Sequence, residues 1–269
     1  MKTIAILGCV TITLVLVGWL GLQIKPKPFS SYQSVAADPK TNPLPDDLPV
    51  PVKRFYNLVY GDTVPIIETV VISGRGSMRV KGITFPIRFR FTHIPGQDYH
   101  HYIEATIFGL PLMKVNEWYV DGKSRLELPF GVSEGAKVDQ GANLALWAEA
   151  IWMPSVWITN PQVCWEPIDE RTAQMIVPFG EKEEHITVRF DPSTGMLRTM
   201  ESMRFKESDS NEKTLWINEV VEWASLNGRM IPVNTAITWN DEGTPWAVFT
   251  TEEVIYNADI HAAALVGSD

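Results

Sequence analysis

The sequence has little cysteine and fewer basic than acidic residues. Only two of its 269 residues, Cys9 and Cys164, are cysteines, which excludes a disulfide framework. Lysine and arginine together number 23 against 32 aspartates and glutamates, giving a net charge of −9. A chain this acidic is repelled by nucleic acids and by anionic lipid surfaces. The Gly-x-Ser-x-Gly, His-Glu-x-x-His and Cys-x-x-Cys motifs are also missing, so no common hydrolase or zinc signature is present.

Charge is absent from the stretch between Lys2 and Lys25. The apolar run from Ile4 to Ile24 is long enough, at roughly 20 residues, to cross a bilayer as a helix. We expect residues 1–24 to form an uncleaved transmembrane signal anchor, because the only small-residue cleavage site, 35–37, lies far beyond the run. A cleaved signal peptide is the alternative, and lysines on both sides leave the orientation open. We expect the rest of the chain on the extracytoplasmic side, periplasmic or extracellular.

The remaining chain divides by composition into three parts. Residues 25–53 are rich in proline, with serine, aspartate and asparagine among them, and predict a semi-extended linker. Residues 54–258 predict one β-rich domain that opens with one or two helical turns at Arg54–Tyr60, and residues 259–269 form a C-terminal tail. This organisation predicts a domain tethered to a membrane.

Strands with alternating apolar and polar residues dominate the predicted domain. Phe89 and Phe91 alternate with Arg88 and Arg90, a period of two that is typical of a half-buried strand. Asp121-Gly122 is a strong signal for a hairpin turn. About ten such strands joined by short turns predict an antiparallel meander, and a sheet that long must curl.

One long helix interrupts the strands. Asp139 is the predicted N-cap, the helix is predicted to run from Gln140 to Met153, and Pro154 stops it. Glu149 is its only charged residue after Asp139, and apolar residues lie on opposite sides of the helix, which is typical of a helix buried on more than one side. We therefore predict a mainly β (α+β) fold, in which a large curved antiparallel sheet forms a half-barrel around this one central helix.

Five residues on and after the helix are candidates for binding a hydrophobic ligand: Trp147, Glu149, Trp152, Trp157 and Trp165. Tryptophans that face a concave sheet can line an apolar pocket, but they can equally be ordinary core residues. Trp147 and Trp152 lie about 140° apart around the helix. We expect one of these two to pack on the sheet and the other to face an open side.

Glu149 needs a partner if it lies inside an apolar helix. The chain offers four arginines that could form a structural ion pair with it: Arg75, Arg88, Arg125 and Arg171. A polar contact to a ligand headgroup and a role as catalytic acid are the alternatives.

The sequence predicts no metal site and no cofactor. His100 and Glu104 share a face of a strand but lie about 13 Å apart, and His101 points to the other face. Surface or rim histidines are therefore expected. Cys164 lies on a predicted strand without a nearby histidine and is expected to be a small buried hydrophobe rather than a nucleophile.

Two motifs resemble those of a bacterial family of unknown function. Glu149, Trp152 and Pro154 form E-x-x-W-x-P, and Trp165–Asp169 form W-x-x-I-D, followed by Ala173. Members of that family usually carry an N-terminal hydrophobic segment. Their architecture looks like the lipoprotein-carrier (LolA-like) half-barrels, in which a curved antiparallel sheet wraps a helical plug and encloses an acyl-chain cavity. The resemblance implies that fold and no particular activity.

Three functions remain open. The first is a non-enzymatic domain that binds or carries a lipid or other hydrophobic molecule in the concave interior of its sheet. The second is a structural or protein-interaction domain of the cell envelope with a filled core. The third is a hydrolase that uses Glu149 or Asp169, although no paired catalytic group is evident. A cavity of a few hundred Å³ favours the first function, and normal packing density favours the second.

Overall fold

The computed structural model describes residues 2–32 and 39–260. The expected cleavage site, 35–37, and residues 261–269 of the expected tail lie outside the described residues. The helices are α1 (Lys2–Leu22), α2 (Val50–Val59), α3 (Ala136–Glu149), continued by a 3-10 turn at Ala150–Trp152, and α4 (Val156–Thr159).

Fifteen strands are described, and thirteen of them form one sheet. The strands are β1 (Thr41–Pro43), β2 (Thr63–Pro65), β3 (Val70–Val80), β4 (Ile83–Ile94), β5 (Asp98–Ile107), β6 (Leu110–Val120), β7 (Lys123–Leu128), β8 (Gly131–Glu134), β9 (Cys164–Asp169), β10 (Thr172–Phe179), β11 (Lys182–Phe190), β12 (Leu197–Phe205), β13 (Lys213–Leu226), β14 (Arg229–Trp239) and β15 (Pro245–Tyr256). Strands β1 and β2 pair separately.

The large sheet is antiparallel throughout, in the order β8-β7-β6-β5-β4-β3-β15-β14-β13-β12-β11-β10-β9. Each half is a meander of consecutive hairpins, and the two halves meet where β3 pairs with β15. The edge strands β8 and β9 are consecutive in the chain, and α3 is the connection between them. The predicted mainly β, antiparallel fold with a helix against the sheet is confirmed, with more strands than the ten expected.

A single side chain on α3 shows how strongly the sheet curls. Asn143 accepts a hydrogen bond from the hydroxyl of Tyr119 on β6 (3.0 Å) and donates one to the carbonyl of Pro178 on β10 (3.1 Å). These strands are nine places apart in the sheet, which is about 43 Å in a flat sheet at 4.8 Å per strand. The sheet must therefore wrap around α3 for one asparagine to reach both.

Helix α3 is buried along almost its whole length, as its apolar sequence predicts. It begins four residues before the predicted start at Gln140, and the N-cap is Gly135, whose positive φ of 112° suits glycine. The prediction of Asp139 as N-cap is therefore wrong. Its carboxylate instead accepts hydrogen bonds from the backbone of Ser124 (2.8 Å) and from Lys123 (3.0 Å), because α3 starts against the beginning of β7.

Local sequence accounts for the hairpin and for the first helix of the domain. Asp121 and Gly122 both have positive φ in the turn between β6 and β7, as the predicted Asp-Gly turn requires. In α2, which overlaps the predicted turns at 54–60, apolar residues at helical spacing face the core, and Tyr56 donates a hydrogen bond to the carbonyl of Pro154 (2.7 Å). This bond fixes α2 beside the chain that leaves α3.

Residues 25–32 of the expected linker lie against the convex face of the sheet. Arg75, Arg88 and Arg90 point to that face and donate hydrogen bonds to the backbone carbonyls of residues 26, 27 and 30. The linker region also contains β1 and the start of α2. The boundaries at residues 24, 53 and 258 stay predictions.

Two further sequence predictions concern α1 and Cys164. In the part of the chain that the structure describes, no helix meets the length and apolarity needed to cross a membrane. Cys164 is exposed on the edge strand β9, so the prediction of a buried cysteine is wrong. Edge position explains the difference, because β9 has a neighbour on one side only.

Candidate functional site

The concave face of the sheet carries a group of ionisable side chains beneath the end of α3. We call it the buried charged cluster, and it consists of His93, His101, Glu117, Glu149 and Arg204. His93 is fully buried and His101 is 5% exposed. Charged groups are rare in such an interior unless they pair with one another or bind an ion.

Strand register explains why the two histidines meet. The inward residues of β4 include Phe89 and Phe91, so by the period of two His93 also points inward. On β5 His101 is paired with Phe91 and, on the other side, with Glu117 of β6. The side chains of three neighbouring strands therefore converge on one spot of the concave face.

Glu149, at the last residue of α3, completes the cluster from above. Its Oε2 lies 2.7 Å from Nε2 of His101 and 3.4 Å from Nε2 of His93. The shorter contact lacks the angles of a hydrogen bond, so both atoms count as buried polar atoms without a hydrogen-bond partner. On the far side of the ring, Nδ1 of His101 lies 3.5 Å from Oε2 of Glu117.

The cluster shifts the pKa values of its two histidines in opposite directions. Burial lowers the pKa of His93 well below its usual value, and the neighbouring His101 lowers it further. Burial alone would also lower the pKa of His101, but the carboxylates of Glu149 and Glu117 outweigh it and raise that pKa to about 9. His93 is therefore neutral and His101 is protonated near neutral pH. The pKa of Glu117 is lowered, since the contact with His101 overcomes the effect of its burial.

Arg204 of β12 brings a further positive charge to the carboxylates. Burial lowers its pKa, while Glu117, Tyr99 and Glu149 favour its charged form. Its guanidinium lies 4.5 Å from the ring of Trp216 and fits beside Gly141 of α3, where an added Cβ would come within 2.8 Å of Nε. A glycine inside a helix costs about 1 kcal/mol relative to alanine. Here it makes room for the arginine.

The four candidate tryptophans are divided between two places. Trp147 and Trp157 are both 1% exposed, and the indole N–H of Trp157 donates a hydrogen bond to the carbonyl of Trp147 (3.0 Å). Trp165 is half-buried and packs on Trp157, with 6.1 Å between the ring centroids. Trp152 is 3% exposed and lies on the other side, against β14 and β15. The expectation that Trp147 or Trp152 faces an open side is wrong, because sheet and loops cover both.

A small cavity lies between the end of α3 and strands β12 to β15. Glu149 and Trp152 line it, so it joins the buried charged cluster, while the other three predicted ligand-binding residues do not. Its remaining lining is mainly apolar: Ala148, Ile151, Met200, Asn218, Glu219, Val220, Thr235, Ile237 and Phe249. The cavity volume is about 20 Å³, which is room for one or two water molecules.

The partners predicted for Glu149 are wrong. Two of these arginines bind other carboxylates: Arg75 pairs with Glu252 and Arg88 with Glu104. They lie on the convex face, because their strand positions have the opposite parity to His93. The expectation of surface histidines is likewise wrong for His101. His93 was not identified as a candidate from the sequence. It could have been, because it lies two residues after Phe91 in β4 and therefore faces the same side of the sheet.

Asp169, the other carboxylate considered for a hydrolase, does not belong to the buried charged cluster. It is exposed in the turn between β9 and β10 and accepts a hydrogen bond from the backbone N–H of Arg171 (2.7 Å). This hydrogen bond is the main cause of its lowered pKa. Asp169 therefore shapes a turn and does not line the cavity.

The sequence model of one protein family matches most of the chain. It covers residues 39–251 and is described as "Family of unknown function (DUF6544)". The chain belongs to this family. The resemblance inferred from the two tryptophan motifs is thus confirmed, and the match begins before β1, so the family unit includes both small strands. No curated protein matches the sequence.

Several solved structures of bacterial proteins have a similar fold. A DUF1329 family protein from Desulfovibrio piger is 12% identical, with a TM-score of 0.43 over 80% of this chain and 95% of its own. A LolA superfamily protein from Nitrosomonas europaea is 7% identical, with a TM-score of 0.45 over 76% and 90%. An outer membrane lipoprotein-sorting protein domain from Vibrio parahaemolyticus is 8% identical, with a TM-score of 0.42 over 73% and 88%. The solved structures to which this chain is similar thus include LolA-superfamily and lipoprotein-sorting proteins.

Proposed function

We propose that this protein binds or carries a lipid or another hydrophobic molecule, without catalysing a reaction, as a membrane-anchored domain on the extracytoplasmic side of the envelope. The observation that carries the proposal is an exposed apolar surface at one end of the sheet, which we call the apolar rim. It consists of Ile83, Phe108, Leu110, Leu112, Phe130 and Val132, all between 46% and 69% exposed.

The rim lies at one end of the sheet because of the hairpin topology. Its residues flank the β3–β4, β5–β6 and β7–β8 turns, and alternate turns of an antiparallel meander are at the same end. Exposed apolar patches rarely occur on a soluble surface without a partner. The other half of this sheet end is charged, with Asp241 and Glu242 in the β14–β15 turn.

The apolar helix α1 reaches the sheet at this same rim. The backbone N–H of Phe108 donates to the carbonyl of Gly21 (2.8 Å), and a Cβ on Gly21 would come within 2.8 Å of the Phe108 ring. If residues 1–24 anchor the chain as the sequence predicts, the rim is held against the membrane surface. Lys81 and Lys114 are exposed beside the rim and offset the repulsion of an acidic chain by lipid phosphates.

The interior offers the ligand space between α3 and strands β12 to β15. Its lining is mainly apolar, and the flexible side chain of Met200 can change shape as a ligand enters. In the conformation described the cavity holds only about one or two waters. An acyl chain can therefore enter only if α3 moves away from the sheet. That movement requires Glu149 on α3 to separate from the cluster residues on the strands.

The second candidate is an envelope scaffold with a filled core. The small cavity volume favours it, since ligand sites for drug-sized molecules usually measure about 300 Å³ or more. The two candidates differ in what the purified protein retains: the scaffold retains no lipid, and the carrier retains about one molecule per chain.

Native mass spectrometry of the full chain, extracted from its source membrane in a mild detergent, tests the proposal. We expect a lipid-sized mass increment on wild type, and at least about a tenfold loss of that species in a rim variant combining F108S, L110S and L112S. The matched control replaces three equally exposed apolar residues away from the rim, I168S, M203S and V221S, and should retain the lipid. A wild-type chain without bound lipid would instead support the scaffold.

A further inference from the structure

The buried charged cluster contains a set of ligands suited to a metal ion. We propose that His93, His101 and Glu149 bind one divalent transition-metal cation of the zinc or iron type. Two imidazoles and one carboxylate are a known ligand set for both ions. The observations behind this proposal do not include lipid binding.

The separations of the three ligand atoms suit a single ion. All lie within 4.8 Å of one another. Two atoms bound at about 2.1 Å to one tetrahedral ion are roughly 3.4 Å apart. Nε2 of His93 and Oε2 of Glu149 are 3.4 Å apart, and the 2.7 Å contact between His101 and Glu149 needs to open by about 0.7 Å. Small side-chain rotations supply that change.

Unsatisfied polar atoms indicate that the cluster needs a further partner. Both ring nitrogens of His93 are buried and make no hydrogen bond within the described residues, and Nε2 of His101 and Oε2 of Glu149 have only their ionic contacts within the cluster. Buried polar atoms of native proteins are nearly always satisfied, and each exception needs an explanation. One cation between the three side chains would satisfy an atom of each.

The surroundings of His101 also match those of a metal ligand. A metal-bound histidine usually donates its other ring N–H to a carboxylate, which fixes the ring and its tautomer. Glu117 stands in that position, 3.5 Å from Nδ1 of His101. Arg204 is close enough to Glu117 to interact with its charge.

The cavity gives the ion a place for a fourth ligand. Glu149 lines the cavity, and its side chain is 13% exposed. Three protein ligands leave one coordination position open in a four-coordinate site. A water molecule or an anionic group of a bound molecule could occupy that position from the cavity.

Metal titration of the full chain in detergent, after treatment with a chelator, tests the proposal with Zn²⁺ and with Co²⁺ as a spectroscopic probe. We expect one equivalent of either ion per chain, visible Co²⁺ bands and a higher unfolding temperature with Zn²⁺. Mg²⁺, which prefers oxygen ligands, should produce neither binding nor a thermal shift. The proposal fails if chelator-treated wild type takes up neither Zn²⁺ nor Co²⁺ at micromolar concentrations, whatever the variants do.

Variants separate this site from adventitious binding by surface histidines. H93Q, H101Q and E149Q should each weaken Co²⁺ binding by more than about 100-fold, and E117Q by about 10- to 100-fold. H100Q is the matched control, because His100 is next to His101 on β5 but points to the other face, where it stacks on Trp118. Equal Co²⁺ affinity in folded H101Q and H100Q would overturn the assignment, and circular dichroism identifies any variant that fails to fold.

Discussion

Trp147 on α3 and Trp152 in the 3-10 turn that continues it differ in the hydrogen bonding of their indole N–H groups. The indole N–H of Trp152 donates to the carbonyl of Pro232 (3.1 Å) and the hydroxyl of Thr251 (3.0 Å). The indole N–H of Trp147 is equally buried but has no partner among the described residues. Removing a buried donor that is paired leaves its acceptor unsatisfied, whereas removing an unpaired donor does not.

We therefore expect W152F to destabilise the protein more than W147F, by about 1–3 kcal/mol. Each variant removes a similar volume, so that the difference isolates the hydrogen bonds. Urea unfolding of the full chain measures both free energies. Equal losses of stability would show that the bonds of Trp152 contribute nothing net, and a larger loss for W147F would contradict the expectation.

The sequence was most informative about residues whose environment is set locally. The Asp121-Gly122 turn was predicted from its own conformational preferences. The partners of Glu149 were not, because His93 and His101 come from strands more than forty residues away and ion pairs carry no local sequence signal. The alternation of side chains along the strands could narrow the choice of partners: Arg75 and Arg88 point outward, whereas His93 and His101 point inward like Phe91.

At the scale of elements, the sequence predicted the types of secondary structure correctly but misplaced the start of α3. Periodicity of two and one apolar helix predicted the sheet and α3. The start of α3 was misplaced, since Asp139 is a good cap by type but is used to bind β7. The order of the strands could not be read either, because the pairing of β3 with β15 joins residues about 180 positions apart.

The pairing of β3 with β15 depends on glycine. Gly76 lies opposite Phe249, and a Cβ added there would come within 1.9 Å of the backbone oxygen of Val248. Backbone atoms in the centre of a sheet cannot move aside as a side chain can. We expect G76A to destabilise the protein by about 3 kcal/mol, at the upper end for overpacking.

Urea unfolding measures this effect, with S77A as its control on the next residue of β3. Ser77 already has a Cβ and its hydroxyl makes no hydrogen bond that the strand pairing requires, so the control should change stability by less than about 0.5 kcal/mol. If G76A is as stable as S77A, the two strands must be able to separate at this point without cost.

At the scale of the whole molecule, α3 determines whether the two halves of the sheet behave as one unit. The halves share the β3–β15 pair, and α3 crosses from edge strand β8 to edge strand β9. Asn143 is the side chain that bonds to both, through Tyr119 on β6 and Pro178 on β10. This connection predicts a single cooperative unfolding transition.

We expect N143A to destabilise the protein by about 2–3 kcal/mol, because both buried partners lose a hydrogen bond. Tryptophan fluorescence, which reports on packing around α3 and in both halves of the sheet, and far-ultraviolet circular dichroism, which reports on secondary structure, should shift to lower denaturant together. N57A is the control, since Asn57 is exposed on α2 and its side chain makes no hydrogen bond in the described chain. Two separate transitions in wild type would show that the halves unfold independently, and the helix would then be a plug in one half rather than the link between both.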